Sequence, residues 1–522
     1  MGNAHSDRLP RLDELSLEQK VGQMLFARGV RVFADETWDL LRQGLLGGVQ
    51  INSSDPSDLP PSLQDCSPIP LFTTADMESG FRGPGFGGTA MPVQMALGAI
   101  GSEETAYEWA RIAAIEARVF GVNFVFGPVV DMANAPDSAY TNIRALHADA
   151  DEVARLAIAV VKGYQDHGMQ VAAKHYPGAG RAPADTHIER AILRCSLDEF
   201  RNEELAIYRR LIEQAELTGV MSGHVAVAAV DGENMATVSP KLTGLLADMG
   251  FKGLLISDSL TMKGIKTTMK SPDLFGRTLA AGHDMIIGDY TLPPDEQLRF
   301  MMDAVKSGMV SEEQVDRSVR KILAAKRKML NVPVETRVDR ERHLAAAAAM
   351  SRRAVTVVGD GALLKGLLEA RPLFIVAREP AAPAAVGAEV ALGASRTRFE
   401  DHVQARFPGC EVCVISEHPG PSEIEATLHK ALDCRDVVFA AFASIHSYKG
   451  TALFSRRLLA LIGGLKERIR VFVTIGNPYA ARELPTLPCL LFAYDGAQAE
   501  QAAVEALASD FMPQGHLPVP LE

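Results

Sequence analysis

The sequence predicts a TIM-type (β/α)8 barrel, with room for one irregular strand, followed by a smaller α/β sandwich domain. Short apolar segments alternate with amphipathic segments over the first two-thirds of the chain, and the alternation restarts in the last third. The length of 522 residues agrees with this, because it is more than one ordinary domain needs. We predict a catalytic barrel over residues 1–331, a linker over 332–352 and a C-terminal domain over 353–522.

Seven strands of the barrel are predicted from short apolar segments of the kind that a parallel sheet buries. They lie at 46–51, 69–74, 122–126, 169–173, 219–222, 253–257 and 284–288. An eighth strand is expected either around 23–30 or after 288. Amphipathic segments predict helices at 103–119, 151–167, 197–215, 240–249, 294–307 and 312–329.

The C-terminal domain repeats the pattern on a smaller scale. Strands are predicted at 354–358, 373–377, 411–415, 437–442, 470–475 and 489–493, with helices at 421–433, 454–466 and 496–508. We expect this domain to pack against the barrel. Whether it also makes the protein a homodimer is left open by the sequence.

Charge and composition exclude several classes of partner. The formal net charge is −12, whereas a nucleic-acid or anionic membrane surface needs a basic face, so neither partner is expected. No apolar stretch approaches the roughly 18 residues of a membrane span, and the first residues lack the apolar core of a secretory signal, so we expect a cytoplasmic protein. Cys410 and Cys413 lie three residues apart on a predicted strand, where their thiols diverge, which indicates structural cysteines.

Polar and ionisable side chains follow the predicted barrel strands where each strand ends. They are Asp76, Asp131, Lys174, His175, Ser222, His224, Asp258 and Asp289. Because the carboxyl ends of parallel barrel strands form the functional face, we expect these side chains to share one pocket. Carboxylates mixed with a lysine and two histidines suit a polyhydroxylated ligand, whose hydroxyls need both acceptors and donors.

Metal and nucleotide chemistry find no support in the spacing of the residues. The chain has no His-x-x-x-His pair and no paired cysteines suited to zinc, so no metal and no cofactor are expected. The glycine-rich stretch GFRGPGFGG (80–88) matches neither the P-loop nor the dinucleotide-binding pattern.

Two segments, AAKHYPGAGRAPADTHIE (172–189) and GFKGLLISDSLTMKGI (250–265), resemble motifs of a known family. The first is similar to the K-H-[FY]-P-G-H-G…D-[ST]-H motif, and the second to the nucleophile segment, of glycoside hydrolase family 3 in its two-domain bacterial β-N-acetylglucosaminidase branch. The series continues in order with FTTADMESG (72–80), GPVVDMA (127–133), NIRALHADADEVA (142–154), SGHVA (222–226) and AGHDMII (281–287). The resemblance spans residues 15–330, and IGNPYA (475–480) and PQGHLPVPL (513–521) resemble the second domain of the family.

The resemblance implies catalytic roles for three residues. Asp258 would be the nucleophile that forms a glycosyl-enzyme intermediate with net retention. His187, paired with Asp185, would replace the second carboxylic acid as proton donor, since imidazole has an ordinary pKa of about 6.5 and exchanges protons near neutrality. Residues two apart do not face each other on a helix, so this pair requires a loop or an extended segment.

The resemblance also implies substrate contacts. Asp76 would accept hydrogen bonds from sugar hydroxyls, while Arg144, Lys174 and His175 would donate to others. Asp131 and His224, from the same segments, are further candidates for substrate binding, and so is Arg82, which lies just after the segment 72–80.

Two departures from the family pattern bear on these expectations. The family usually has histidine where this chain has Ala179, which we expect to alter the support of the catalytic loop. The family's first loop usually carries arginines at the positions of Phe81 and Pro84, and we expect the loss of these cations to weaken or change recognition of the sugar.

The resemblance therefore implies a retaining exo-acting β-N-acetylglucosaminidase that acts on small glycosides or muropeptides. Three alternatives stay open: a family 3 glycoside phosphorylase, a β-glycosidase of another sugar specificity and an inactive sugar-binding homologue. In every case the partner expected is a small carbohydrate.

Overall fold

The computed structural model describes residues 9–52, 55–81, 87–138, 140–335, 337–378, 398–443, 453–496 and 498–521. In its first part, eight parallel strands form one sheet in the order β10-β1-β2-β3-β4-β5-β7-β9, and a parallel bridge between Ile256 and Met285 joins the two ends. The predicted (β/α)8 barrel is thereby confirmed. The strands up to this point in the chain are β1 Leu25–Ala27, β2 Gly48–Gln50, β3 Phe72–Ala75, β4 Phe124–Val125, β5 Gln170–Tyr176, β6 Ala191–Leu193, β7 Gly219–Ser222, β8 Val225–Val227, β9 Leu254–Ser257 and β10 Ile286–Ile287.

The eighth barrel strand is β1, which lies in the first of the two regions predicted for it. Strands β6 and β8 do not belong to the barrel, because they pair only with each other among the described strands. The helices of this part are α1 Leu17–Gln23, α2 Ala34–Arg42, α3 Leu59–Cys66, α4 Gln94–Ile100, α5 Glu103–Val119, α6 Ala150–Gln165, α7 Leu197–Asn202, α8 Glu204–Ala215, α9 Ala228–Asp231, α10 Pro240–Asp248, α11 Lys263–Lys266, α12 Ser271–Ala280, α13 Pro294–Lys306 and α14 Glu312–Leu330.

Helix starts follow from capping side chains that accept hydrogen bonds from the first turn. Ser102 caps α5, Asp149 caps α6 and Ser311 caps α14. These three helices each bury an apolar face, as the amphipathic pattern predicts.

The centre of the barrel is packed with aromatic rings. Phe26, Phe72, Phe124 and Phe126 lie with ring centroids 5.1 to 6.1 Å apart, in mostly edge-to-face arrangements. Because these rings fill the interior, a ligand site is confined to the mouth of the barrel, as in other TIM-type barrels.

The last part of the chain forms a six-stranded sheet in the order β11-β16-β15-β14-β12-β13. Only β11, which pairs with β16, runs antiparallel, and the other pairs are parallel. Its strands are β11 Thr356–Gly359, β12 Leu373–Ala377, β13 Val412–Ile415, β14 Val437–Ala443, β15 Ile469–Gly476 and β16 Cys489–Ala493. Its helices are α15 Arg340–Ala354, α16 Leu367–Ala370, α17 Phe399–Arg406, α18 Pro421–Leu432, α19 Arg456–Leu465 and α20 Ala499–Leu507.

Both faces of this second sheet carry an apolar layer, so the predicted α/β sandwich is confirmed. Cys410 packs on one layer and Cys413 on the other, so the two thiols diverge as predicted. The domain boundaries given above stay a prediction.

The second sheet contacts the loops of the barrel directly. A shared apolar cluster contains Val93, Ala133 and Ile143 of the barrel part together with Phe492 of β16. The Tyr479 hydroxyl also donates to the main-chain oxygen of Ala133 at 2.5 Å. None of the described helices combines the length and the apolar character that crossing a membrane requires.

Candidate active site

Asp258 lies one residue beyond the end of β9, at the mouth of the barrel. Its main-chain N–H donates to the oxygen of Ser222 at 2.8 Å, and its Oδ1 accepts from the Ser259 N–H at 2.7 Å. Burial alone would raise the pKa of this carboxyl, but the nearby imidazoles, that of His175 first, and the Ser259 N–H hold the pKa below its ordinary value. Asp258 is therefore ionised at neutral pH, as a nucleophile must be.

His224 packs against the main chain of Ser259, the residue after Asp258. Its Nδ1 is 2.7 Å from Thr237 Oγ1, its Nε2 is 2.9 Å from the main-chain oxygen of Ser259, and the residue is fully buried. Burial lowers its pKa. Since both ring nitrogens lie within hydrogen-bond distance of protein atoms, His224 holds the main chain beside Asp258, and its contact with substrate stays a prediction.

Asp185 and His187 form the pair that their spacing suggests. His187 Nδ1 lies 2.8 Å from Asp185 Oδ1, which also accepts the main-chain N–H of His187 at 2.9 Å. The His187 side chain is 31% exposed, whereas that of Asp185 is 6% exposed. The buried carboxylate thus fixes the orientation of the ring and directs Nε2 away from itself.

The loop that carries this pair rests on the segment that follows Asp258. Lys263 N–H donates to the His187 oxygen at 3.3 Å, and Gly264 N–H donates to the Thr186 oxygen at 3.2 Å. A Cβ on Gly264 would lie 2.5 Å from the Glu189 oxygen and 2.6 Å from the Thr186 oxygen, so a side chain at 264 would force the loop to move. Contacts after β9 therefore help to fix the position of the imidazole.

Lys174 and Arg144 form a charged cluster around a carboxylate that the sequence analysis missed. Lys174 Nζ lies 2.7 Å from Asp76 Oδ1 and 2.8 Å from Glu78 Oε1, and Arg144 binds both oxygens of Glu78 at 2.7 and 2.9 Å. Burial favours the neutral acid, but Arg144 and Lys174 outweigh it and hold the pKa of Glu78 well below its ordinary value. Glu78 stands two residues after Asp76, and this spacing was the only signal in the sequence.

Asp76 is the carboxylate of this cluster that faces the solvent. Its side chain is 53% exposed, although it accepts from Lys174 and, at 3.1 Å, from Gln50 Nε2. The exposed part of the carboxylate can accept hydrogen bonds from a hydroxylated ligand.

Asp131 is buried and holds two other parts of the site. Its Oδ2 lies 2.7 Å from His175 Nδ1, and its Oδ1 accepts the Ala179 N–H at 2.6 Å. The side chain has no exposed surface. Asp131 thus supports His175 and the start of the loop that carries His187, and its contact with substrate stays a prediction.

The ring of Tyr140, a second residue that the sequence analysis missed, lies close to His175, His187 and Arg144. Its ring centroid lies 4.9 Å from that of His175 and 5.8 Å from that of His187, and the Arg144 guanidinium lies 4.9 Å from the same centroid. Burial first, and then the charge of Asp258, raise the pKa of Tyr140 well above its ordinary value. Tyr140 does not follow a predicted strand, so its position in the sequence did not mark it as a site residue.

The remaining strand-end residues are held by the protein. Asp289 pairs with Lys266 Nζ at 2.5 Å, and the Ser222 hydroxyl lies 2.7 Å from His283 Nε2. Phe81 is buried against Phe120, while Arg82 and Pro84 lie outside the described residues. Within the described part of the chain, no group of three or more His, Cys, Asp or Glu side chains is arranged to hold a metal ion.

Comparison with known proteins relates this site to a family. Residues 16–325 match the family model of the glycosyl hydrolase family 3 N-terminal domain. A β-N-acetylglucosaminidase/β-glucosidase of Cellulomonas fimi is 31% identical over 331 residues, which are 60% of this chain and 58% of that protein. The chain thus spans less than two-thirds of that relative. A β-hexosaminidase of Thiobacillus denitrificans is 33% identical over 264 residues, which are 47% of this chain and 72% of that protein.

A solved structure matches over nearly the whole length of both chains. It is a family 3 β-N-acetylglucosaminidase from Paenibacillus sp. str. FPU-7, with a TM-score of 0.83 and 27% identity. The match covers 97% of this chain and 99% of that one, so the two-part architecture is shared.

Proposed function

This chain belongs to glycoside hydrolase family 3 and is a glycoside hydrolase, and we propose that it is a retaining, exo-acting β-N-acetylglucosaminidase. Its substrates would be small glycosides, including muropeptide fragments, with a terminal N-acetylhexosamine. One observation carries the proposal: the ionised Asp258 lies next to a loop whose Asp185–His187 pair is tied to the Asp258 segment.

The first chemical step joins the sugar to Asp258. A carboxylate oxygen attacks the anomeric carbon as the bond to the leaving oxygen breaks, and that oxygen takes a proton from His187. Asp185 accepts a hydrogen bond from Nδ1–H and stabilises the imidazolium, whose second proton, on Nε2, is the one given to the leaving oxygen. Burial of Asp185 keeps this pair oriented before the substrate arrives.

The second step releases the sugar with retained configuration. His187 now accepts a proton from water, whose oxygen attacks the anomeric carbon, and the bond to Asp258 breaks. The leaving group departs from, and the water enters on, the face of the sugar opposite to Asp258. Each step therefore inverts the anomeric carbon, and the two inversions give the product the configuration of the substrate.

Recognition of a terminal sugar is proposed for the charged cluster on the other side of the mouth. Asp76 accepts from hydroxyls, and Lys174, Arg144 and His175 donate to them. Glu78 keeps the two cations in place between substrates by compensating their charge. A cluster that closes one end of the site fits cleavage from the end of a chain.

Specificity for N-acetylhexosamine is supported by the relatives rather than by a contact. The Thiobacillus protein is named a β-hexosaminidase, and the Paenibacillus structure is a β-N-acetylglucosaminidase. The Cellulomonas relative is named for both β-N-acetylglucosaminidase and β-glucosidase activity, so a glucoside must be tested beside the N-acetylglucosaminide.

Transfer of the sugar to phosphate is the second candidate function. The observation that favours it is the imidazole in the place of a second carboxylate, since a neutral ring does not repel a phosphate that approaches the intermediate. The product decides between the candidates: hydrolysis gives the free sugar, and phosphorolysis gives its 1-phosphate.

The test compares 4-nitrophenyl β-N-acetylglucosaminide with the β-glucoside and the β-xyloside, each with and without phosphate. We expect the N-acetylglucosaminide to be cleaved at least about tenfold faster, and Asp258→Ala to lower the rate by about 10³-fold or more. Asp248→Ala is the matched control, because this exposed aspartate ends α10, before β9 begins. Faster cleavage of the glucoside would refute the sugar assignment, and undiminished turnover by Asp258→Ala would refute the mechanism.

A further inference from the structure

An arginine and a tyrosine stack on each other at the mouth of the barrel. The guanidinium of Arg28, one residue beyond β1, lies 5.1 Å from the ring centroid of Tyr290, which follows β10. Arg28 is half-buried, whereas Tyr290 is 43% exposed. The two strands are neighbours in the barrel, which places the pair on one sector of the rim.

Arg28 differs from the other cations of the rim in its electrostatic surroundings. Lys174, Arg144 and Lys266 each form an ion pair with a buried or half-buried carboxylate. Arg28 forms no ion pair with any described residue, although the protein carries a net charge of −12 and acidic groups are plentiful. The guanidinium packs on the ring of Tyr290, and no carboxylate among the described residues compensates its charge.

The pair lies between the two functional parts of the site. The Tyr290 N–H donates to Thr261 Oγ1 at 3.1 Å, and this hydroxyl also accepts from Ser259 Oγ at 3.3 Å, next to Asp258. On the other side, β1 pairs with β2, and the Gln50 amide at the end of β2 donates to Asp76. Arg28 and Tyr290 thus follow the two strands that lie between β9, which Asp258 follows, and β2.

We propose that Arg28 and Tyr290 form a binding site for an oxyanion, a carboxylate or phosphate group brought by the substrate or the acceptor. The planar guanidinium can donate two parallel hydrogen bonds to such a group. The stack on Tyr290 already restricts the Arg28 side chain, so the side chain loses less conformational entropy when the ligand binds. The exposed tyrosine ring offers an apolar surface for the adjoining ring of the ligand. This inference rests on the proposed function.

Three sources of the oxyanion are distinguished by three pairs of measurements of kcat/KM. The leaving group is tested with the β-N-acetylglucosaminides of 4-hydroxybenzoate and of its methyl ester. The sugar is tested with 4-nitrophenyl β-N-acetylglucosaminide with and without a 6-phosphate. The acceptor is tested by adding inorganic phosphate to the neutral ester substrate.

For each pair we take the ratio of kcat/KM with the anionic group to kcat/KM without it. Arg28→Gln is expected to lower this ratio about fivefold to tenfold in one of the three pairs. Tyr290→Leu is expected to lower the same ratio less, since the charge remains. The matched control is Arg299→Gln, which removes another arginine stacked on an aromatic ring, with the guanidinium 5.7 Å from the centroid of Phe300 on α13. This control is expected to leave all three ratios within about twofold of the wild type.

Two results would overturn the inference. Unchanged ratios in Arg28→Gln would show that no oxyanion binds there, and an equal loss in all three pairs would show long-range attraction rather than a site. If Arg28→Gln does not fold, Tyr290→Leu decides, because loss of the stacked ring must lower the ratio in one pair and leave the other two unchanged.

Failure of the proposed function would be seen separately, as absence of turnover of the neutral substrates by the wild type. Calorimetric binding of the 4-hydroxybenzoate glycoside, of the 6-phosphorylated glycoside and of inorganic phosphate to the same variants then tests the site without turnover. If the wild type and Arg28→Gln bound all three with equal affinity, the site would be refuted.

Discussion

The main-chain N–H of Ala179 donates to Oδ1 of Asp131 at 2.6 Å, and the other oxygen of that carboxylate holds His175 Nδ1 at 2.7 Å. One buried carboxylate therefore fixes both a proposed substrate contact and the start of the loop that carries His187. Because the bond at position 179 comes from the main chain, the alanine that replaces the family's histidine still supports the loop.

Asp131→Asn is expected to lower kcat/KM by about 10- to 100-fold and the free energy of unfolding by about 1–3 kcal/mol. An amide can accept at one position only, so either the His175 ring or the Ala179 N–H loses its buried partner. Ala179→Gly keeps the main-chain donor and should lose less than about tenfold in kcat/KM. The measurements are steady-state kinetics and urea unfolding of both variants; an Ala179→Gly defect as large as that of Asp131→Asn would contradict this account.

Most of the regular structure could be predicted from apolar segments. The strands at 219–222 and 373–377 and the helix at 103–119 have the predicted bounds, because each is a continuous buried or amphipathic segment with a clear end. The β6–β8 pair and α12 were not predicted, since they are short or interrupted by polar residues.

The candidate site was only partly accessible to sequence reasoning. A position at a strand end predicted that Asp131 and His224 lie at the mouth, but not that Ala179, Thr237 and Ser259 occupy their polar atoms. Those partners come from remote segments, so strand position alone cannot separate supports from ligand contacts.

Glu78→Gln is expected to lower the free energy of unfolding at pH 7 and to make that free energy fall less steeply as the pH is lowered. The pKa of Glu78 is depressed in the folded state, so its ionised form adds stability above its ordinary pKa of about 4.5, and this stability is lost as the pH falls through the lower folded value. Urea unfolding between pH 3 and 7 measures both effects. Glu213→Gln, an exposed substitution on α8, is the control, and equal pH profiles for the two variants would exclude a role of Glu78 in acid stability.

His187→Ala is expected to lower kcat/KM about 10²- to 10³-fold for substrates with poor leaving groups, and less than about tenfold for activated aryl glycosides. A good leaving group departs without a proton, so only the poor ones need the acid in the first step, which kcat/KM reports. Values of kcat/KM for a series of substituted phenyl β-N-acetylglucosaminides give the slope against leaving-group pKa. The slope should be steeper than in the wild type, and parallel slopes would exclude His187 as the proton donor.

Gly264→Ala tests whether the contact between the two catalytic segments positions the imidazole. A methyl group at 264 would meet the Thr186 and Glu189 oxygens at 2.6 and 2.5 Å, so the loop must shift away from α11 and take His187 with it. We therefore expect the same selective loss on poor leaving groups as for His187→Ala, about tenfold or more, with Asp258 chemistry on activated substrates less affected. Gly244→Ala on α10 is the matched control, because no atom lies within 4 Å of the added methyl. If Gly264→Ala slowed activated and poor substrates equally, the contact would serve folding and not the placement of the proton donor.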